Sequence, residues 1–270
     1  MKKALAVLFV LVLSLGLLAG CGGDPGTTDP GTTTEDGATT GSVDNEKVIR
    51  ISVSGTPVID PAVGNTNSSI TALLNIYDTL VMPEGDDVVG DLAESWESNE
   101  EGTEFTFKLK QGVKFHDGDE VKASDVVFST KRLLTIGEGF AYLYTNIIKD
   151  VEAVDDYTVK FTLNAPYGPF VSTLPRLYIV NEDLVMANLN PDGAYGEFGD
   201  YGKDWLITND AGSGPYTVKE LVQQSHLYCE KFDDWHGGWE ENAPEGFRMI
   251  DNTEATTIRT MMASKELEIT

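Results

Sequence analysis

The run from Asp91 to Leu134, DLAESWESNEEGTEFTFKLKQGVKFHDGDEVKASDVVFSTKRLL, constrains the fold more than any other part of the chain. Phe105, Phe107 and Leu109 alternate with Thr106, Lys108 and Lys110. That period of two fits a strand with one face buried. A polar turn over Asn99 to Gly102 precedes it, and Gln111-Gly112 breaks it. A second short strand is expected over Val113 to His116, ended by the turn pair Asp117-Gly118. The period then changes. Val126, Val127, Thr130, Leu133 and Leu134 recur at spacings of three and four, which predicts a helix with Lys131 and Arg132 turned to solvent. Asp125 falls in its first turn, where a carboxylate suits the exposed N–H groups and the positive end of the helix dipole. Ser124 is one candidate cap; if Lys122 holds that position, the side-chain cap is missing.

The same two periods recur along the chain. Ile49, Ile51 and Val53 alternate with Arg50, Ser52 and Ser54, a strand that Pro57 and Pro61 break. Ile70 to Val81 reads as a helix with Leu73, Leu74, Tyr77 and Leu80 as its stripe. Gly137 to Asp150 carries Phe140, Tyr142 and Tyr144. Val151 to Val154, the turn Asp155-Asp156 and Tyr157 to Leu163 form a hairpin, expected to share one antiparallel sheet with Phe105 to Leu109. Val185 to Asp210 is rich in Gly, Asp and Asn and reads as a long surface loop. Tyr216 to Leu221 and His226 to Lys231 should pair as strands. Phe247 to Ile250 is one more strand, and Glu254 to Ala263 a helix with Ile258, Met261 and Met262 inward and Arg259 outward.

The N-terminus has a different character. Lys2 and Lys3 precede an apolar run from Ala4 to Ala19, short for a spanning helix and flanked like a signal peptide, assigned to residues 1–20. Leu18-Ala19-Gly20-Cys21 resembles a bacterial lipobox, which makes Cys21 the expected lipidation site. Residues 21–46 are mostly Gly, Thr, Asp and Pro, too poor in apolar side chains to fold, and read as a flexible linker of roughly 25–30 Å root-mean-square span. Net charge is −25, from 44 acidic and 19 basic residues. Phosphate binding needs clustered Lys and Arg, so a nucleic-acid partner is not expected.

The sequence carries no recognisable constellation for reactive chemistry. Gly212-Ser213-Gly214 lacks the spacing of a nucleophile elbow. No phosphate loop or dinucleotide fingerprint occurs. His116, His226 and His236 are not spaced as a metal site, and His236 beside Asp233 and Asp234 reads as part of a solvated loop. With Cys21 lipidated, Cys229 has no partner and reads as a small packed side chain. No catalytic residue, metal or cofactor is expected.

Several of these pieces together resemble a known family, the extracellular solute-binding proteins of the oligopeptide, dipeptide and nickel ABC importers. They are LAESWE (Leu92 to Glu97), FTFKLKQGVKFHDG (Phe105 to Gly118) and ASDVVFS (Ala123 to Ser129). Val58-Ile59-Asp60-Pro61 is similar to the family's leucine-aspartate-proline signature, NIYDTLV to its next element, and Gly212 to Tyr216 to its glycine-rich turn. FDDWHGG resembles its aromatic-Trp segment. Lys265 to Ile269 is similar to a glycine-glutamate-isoleucine-aspartate turn, with Lys265 in the glycine's place.

The resemblance runs from about Val48 to Thr270. It implies a mixed α/β fold of periplasmic-binding-protein-like lobes, only the first two present: lobe I over 47–77 and 177–270, incomplete, and lobe II over 78–176. It further implies a lipid-anchored, extracytoplasmic protein, monomeric, that captures peptides and delivers them to an ABC permease. Nickel complexes, oligosaccharides and a sensory role are the alternatives. Extended ligands in such a family are held by backbone hydrogen bonds. The loop Gly64, Asn65, Thr66 and Asn67 matches its cleft loop, and Ser213 a polar cleft position; turn geometry is the other reading of each. Tyr142 or Tyr144 is a further candidate for the cleft or for the core. The family's anchors for the peptide ends belong to a lobe beyond Thr270. The expectation is therefore the first part of a longer protein, with an unpaired sheet edge and an exposed apolar face near Ile250, Met261, Met262 and Ile269, poor solubility and weak binding by itself.

Overall fold

The structure, a computed structural model, describes residues 47–270. The leader, Cys21 and the linker lie outside the described residues. The elements run in chain order as β1 (Val48–Val53), α1 (Asn67–Ile76), β2 (Val81–Glu84), β3 (Asp87–Gly90), β4 (Ala93–Ser98), β5 (Glu104–Leu109) and α2 (Ala123–Ile136). They continue with β6 (Ile148–Asp155), β7 (Thr158–Leu163), α3 (Phe170–Thr173), α4 (Glu182–Ala187), β8 (Tyr216–Val222), β9 (His226–Lys231), β10 (Gly246–Asp251) and α5 (Ala255–Ala263).

Two four-stranded sheets form the frame, ordered β4-β5-β7-β6 and β1-β10-β9-β8. The first is the sheet that the alternating runs predict. β5 and β7 lie antiparallel with Phe105 opposite Phe161 and Phe107 opposite Val159. Phe105, Phe107 and Leu109 are buried together with Val159, Phe161 and Leu163. Phe107 meets Phe161 edge-on at 5.8 Å between ring centroids, and Phe170 from α3 covers both strands, 4.9 Å from Phe105 and 5.4 Å from Phe161. Each such side chain contributes roughly 1.5–3 kcal/mol on burial. In the second sheet β1 runs parallel to β10, while β10, β9 and β8 are antiparallel in sequence. Cys229 is buried in β9, a packed side chain as expected.

Several local expectations change. Val113 to His116 is not a strand; a single bridge joins Lys114 to Glu120, and Gly118 turns the chain at φ +99°. α1 begins earlier than its apolar stripe, because Thr66 caps it by accepting from the Ser69 N–H at 3.2 Å. It also ends earlier, at Ile76. Tyr77 is extended, Thr79 bridges Tyr178, and Ile179 N–H donates to Asp78 O, so pairing with a distant segment stops the helix five residues short of Val81. Leu74, placed in the stripe, is 41% exposed.

At α2 the cap position is Lys122, which carries no acceptor. Asp125 compensates: its Oδ2 accepts from Lys122 N–H at 2.8 Å and its Oδ1 from Glu182 N–H at 2.9 Å, so one carboxylate serves the first turns of α2 and α4. Lys131 is exposed, but Arg132, expected to face solvent, is only 1% exposed. Residues 185–210 are not a plain surface loop. They include the end of α4 and two 3-10 turns, and they bury Tyr201 and Leu206.

The outer edge of β1 is not unpaired. Ser52 N–H donates to Ile269 O at 2.9 Å and Glu268 N–H to Arg50 O at 2.9 Å, and the Arg50 and Glu268 side chains pair alongside. None of the residues of α5 is buried, with Met262 43% exposed.

Candidate functional site

The loop that carries Gly64 to Asn67 is built on a buried ion pair. Arg132 Nη1 and Nη2 donate to the two oxygens of Asp60, each at 2.7 Å, and Arg132 Nε donates to Tyr201 O at 2.8 Å. Asp60 is 3% exposed and Oδ1 also accepts from Ala62 N–H. A fork-to-carboxylate pair with its remaining donor satisfied avoids the cost of an unpaired buried charge. Asp60 O in turn accepts from Val63 and Gly64 N–H. Gly64 is needed at this bend, because a Cβ there would lie 2.5 Å from Val58 O. Asn65, Thr66 and Asn67 then emerge exposed, with Thr66 engaged as the cap of α1. Gly139 packs so closely on Ala62 that a Cβ would sit 2.8 Å from its carbonyl, which brings the segment before Tyr142 to the same loop. Tyr142 is 71% exposed, whereas Tyr144 is wholly buried and donates to Thr173 O.

Ser213 belongs to a different place. Gly212 and Gly214 press against the end of α1, where a Cβ on Gly212 would come 2.0 Å from Ile76 O, and Gly214 N–H donates to that same carbonyl. Ser213 is fully buried, and its Oγ donates to Asp78 Oδ2 at 2.9 Å. The loop over 64–67 and Ser213 thus sit at opposite ends of α1, about 15 Å apart at 1.5 Å per residue. Ser213 is no nucleophile, since its proton goes to a carboxylate and not to an imidazole base.

The same turn is braced by His116, at the position where a strand was expected. Nδ1 meets Asp210 Oδ1 at 2.5 Å and Nε2 donates to Gly214 O at 2.9 Å. A ring with an acceptor at each nitrogen holds both protons. Burial pulls its pKa down, but the bond to Asp210 and the adjoining negative charge outweigh that and the net shift is upward. Asp210 also accepts from Val218 N–H in β8. Between this turn, β8 and the 205–212 segment lies an open cavity of about 420 Å³ lined by His116, Trp205, Asn209, Thr217 and Lys219 among others. That volume is in the range of small-ligand sites.

His236 does not sit in a solvated loop with Asp233 and Asp234. Its side chain is 12% exposed and its Nε2 lies 3.3 Å from Asp78 Oδ2 and 3.4 Å from Asp91 Oδ1. Burial would lower its pKa, yet the two carboxylates raise it to about 9. Burial raises that of Asp78. Spacing did not reveal this cluster, nor the Asp60–Arg132 and His116–Asp210 pairs, because their partners lie far apart in sequence. The signal available was indirect: Asp60 and Asp78 both stand inside apolar-flanked motifs, VIDP and IYDTL.

Residues 87–270 match the family model described as bacterial extracellular solute-binding proteins, family 5 Middle. The chain belongs to this family of solute-binding proteins.

Among curated relatives, it is 39% identical over 175 residues to a protein of Escherichia coli named "Probable D,D-dipeptide-binding periplasmic protein", covering 63% of the chain and 32% of that protein. It is 30% identical over 171 residues to the dipeptide-binding protein of the same organism, covering 56% and 30%. Among solved structures, the periplasmic binding protein of Helicobacter pylori in complex with peptide STSA superposes with a TM-score of 0.71 at 27% identity, over 83% of this chain and 46% of that one. The matched stretch of the chain spans about a third of the length of these curated relatives. The family is one of solute-binding proteins and not of enzymes. The mixed α/β binding-protein fold expected from the sequence is the fold observed. Among the described residues, no helix is long and apolar enough to cross a membrane.

Proposed function

We propose that this protein captures peptides outside the cytoplasmic membrane and hands them to an ABC permease, held at the membrane by a lipid on Cys21. The observation that carries the reading is the 39% identity to a protein named as D,D-dipeptide-binding, supported by the fold likeness to a binding protein that holds peptide STSA. In this proposal residues 47–77 and 177–270 contribute to lobe I and 78–176 to lobe II, and the protein acts as a monomer. Gly64, Asn65, Thr66, Asn67 and Tyr142 form the ligand-facing group. The exposure of 65–67 and of Tyr142, together with the close approach of Gly139 to Ala62, supports that grouping. Ser213 acts from behind by holding Asp78.

The test is recovery of ligand from protein purified from its own cells, with identification by mass spectrometry. A bound peptide that persists on prolonged incubation supports binding without turnover; steady consumption of added peptide by clean protein would sink it. Cross-linking with a photoreactive dipeptide should label residues 64–67 or Tyr142. Label confined to the cavity beside Lys219 would move the site. For the anchor, Cys21→Ser should release the protein from membranes, and retention after high-salt washing would refute lipidation.

A further inference from the structure

Three ligand-type atoms from three separate segments converge away from the proposed peptide-facing loop. Asp78 follows α1, Asp91 follows β3, and His236 lies in the loop after β9. One ligand atom from each of the three lies within 4.8 Å of the other two. His236 Nε2 is completely buried and has no hydrogen-bond partner. At 3.3 and 3.4 Å from the two carboxylates it is directed well at neither. The carboxylates, by contrast, are aimed from behind. Thr79 N–H donates to Asp91 Oδ2 at 2.9 Å, Ser213 Oγ to Asp78 Oδ2 at 2.9 Å, and Trp235 Nε1 to Asp78 Oδ1 at 3.3 Å. Outer hydrogen bonds of this kind orient the ligands of a metal.

The spacing selects among cations. Zinc binds imidazole nitrogen and carboxylate oxygen at about 2.0–2.2 Å in tetrahedral geometry, so its ligand atoms stand about 3.3–3.6 Å apart. The two measured separations, 3.3 and 3.4 Å, fall in that range. Octahedral magnesium, with bonds of about 2.0–2.1 Å, would need neighbouring ligands about 2.9 Å apart. Calcium would tolerate the spacing but takes oxygen ligands and not imidazole. Two carboxylates and a neutral imidazole match the charge of a dication.

We propose that Asp78, Asp91 and His236 form a zinc site that staples the ends of α1 and β3 to the loop after β9. The chain supplies three of four tetrahedral positions, and a water takes the fourth. The alternative occupant is a proton, with His236 as an imidazolium between the two aspartates.

The test uses the whole chain carrying Cys21→Ser, so that no leader thiol competes, after dialysis against chelator. Zinc is titrated against a chromophoric competitor at pH 7, and melting is followed with and without metal. One zinc per chain, bound at micromolar strength or tighter and raising the melting temperature, is the expected result. His236→Gln and Asp91→Asn should each weaken binding by about 100-fold, the upper end of what losing even a supporting residue costs. Asp91→Asn keeps an oxygen for Thr79 N–H, so it decides the matter if His236→Gln fails to fold. Absence of stoichiometric zinc, an affinity in both variants equal to the parent's, or preference for magnesium or calcium would overturn the proposal and leave the imidazolium. Peptide recovery in the preceding experiment does not depend on this outcome.

Discussion

Replacing Arg132 by Met is the sharpest probe of how the candidate loop is held. Met keeps the aliphatic bulk of a side chain that is 1% exposed, and it removes three donors at once. Asp60, 3% exposed, would keep only the Ala62 N–H for its carboxylate, and Tyr201 O would lose its partner. Breaking a buried pair from one side costs about 3–5 kcal/mol, mostly the penalty of the stranded charge. For a domain of this size each kcal/mol moves the melting temperature by about 2–4 °C, so a fall on the order of 10 °C is expected. Urea unfolding should show a lower midpoint with an unchanged slope. Because the penalty belongs to the charge left behind, Asp60→Asn combined with Arg132→Met should cost less than the sum of the two single variants, by about 1–3 kcal/mol. Hydrogen exchange should rise first at the amides of Val63 and Gly64, which donate to Asp60 O. A loss below about 1 kcal/mol, or strict additivity in the double variant, would show that the pair does not hold the loop.

Three further outcomes follow from the same geometry. Burial raises the Asp125 pKa from 3.8 to about 6 despite its two backbone hydrogen bonds, so the folded state holds this proton more tightly than the unfolded chain. The stabilising contribution is then full at low pH and is lost as pH rises from about 4 to 6, and Asp125→Asn should gain about 2–3 kcal/mol relative to the parent between pH 4 and 7 in matched urea titrations; a pH-independent difference would contradict it. Gly212→Ala, whose Cβ would stand 2.0 Å from Ile76 O, should destabilise by about 1–3 kcal/mol or more, read as a lower urea midpoint, while an unchanged midpoint would mean that the turn can move. The Cys229 thiol is pushed well above its ordinary pKa by burial, so alkylation of the Cys21→Ser chain by iodoacetamide should be negligible without denaturant, and rapid labelling in the native state would refute its packing.

Much of the architecture can be read directly from side-chain period. The alternation at Phe105, Phe107 and Leu109, echoed at Val159, Phe161 and Leu163, specifies two half-buried strands, and the shared polar face makes them partners in one sheet. The glycines around Ser213 announce a close backbone approach, and the ordered motifs from Asp60 to Tyr216 announce the family. Period is silent about which polar side chains are drawn inside. Arg132 stands beside Lys131 on what looks like a solvated face, and only the arrival of Asp60 from 72 residues earlier makes its burial favourable. The end of α1 is likewise decided by Tyr178 and Ile179, which compete for the backbone of residues 77–79 more effectively than local helix propensity can retain it. The meeting of Asp78, Asp91 and His236 is the extreme case. No spacing along the chain encodes it, because the imidazole comes from the loop after β9 and meets two carboxylates that lie more than a hundred residues before it.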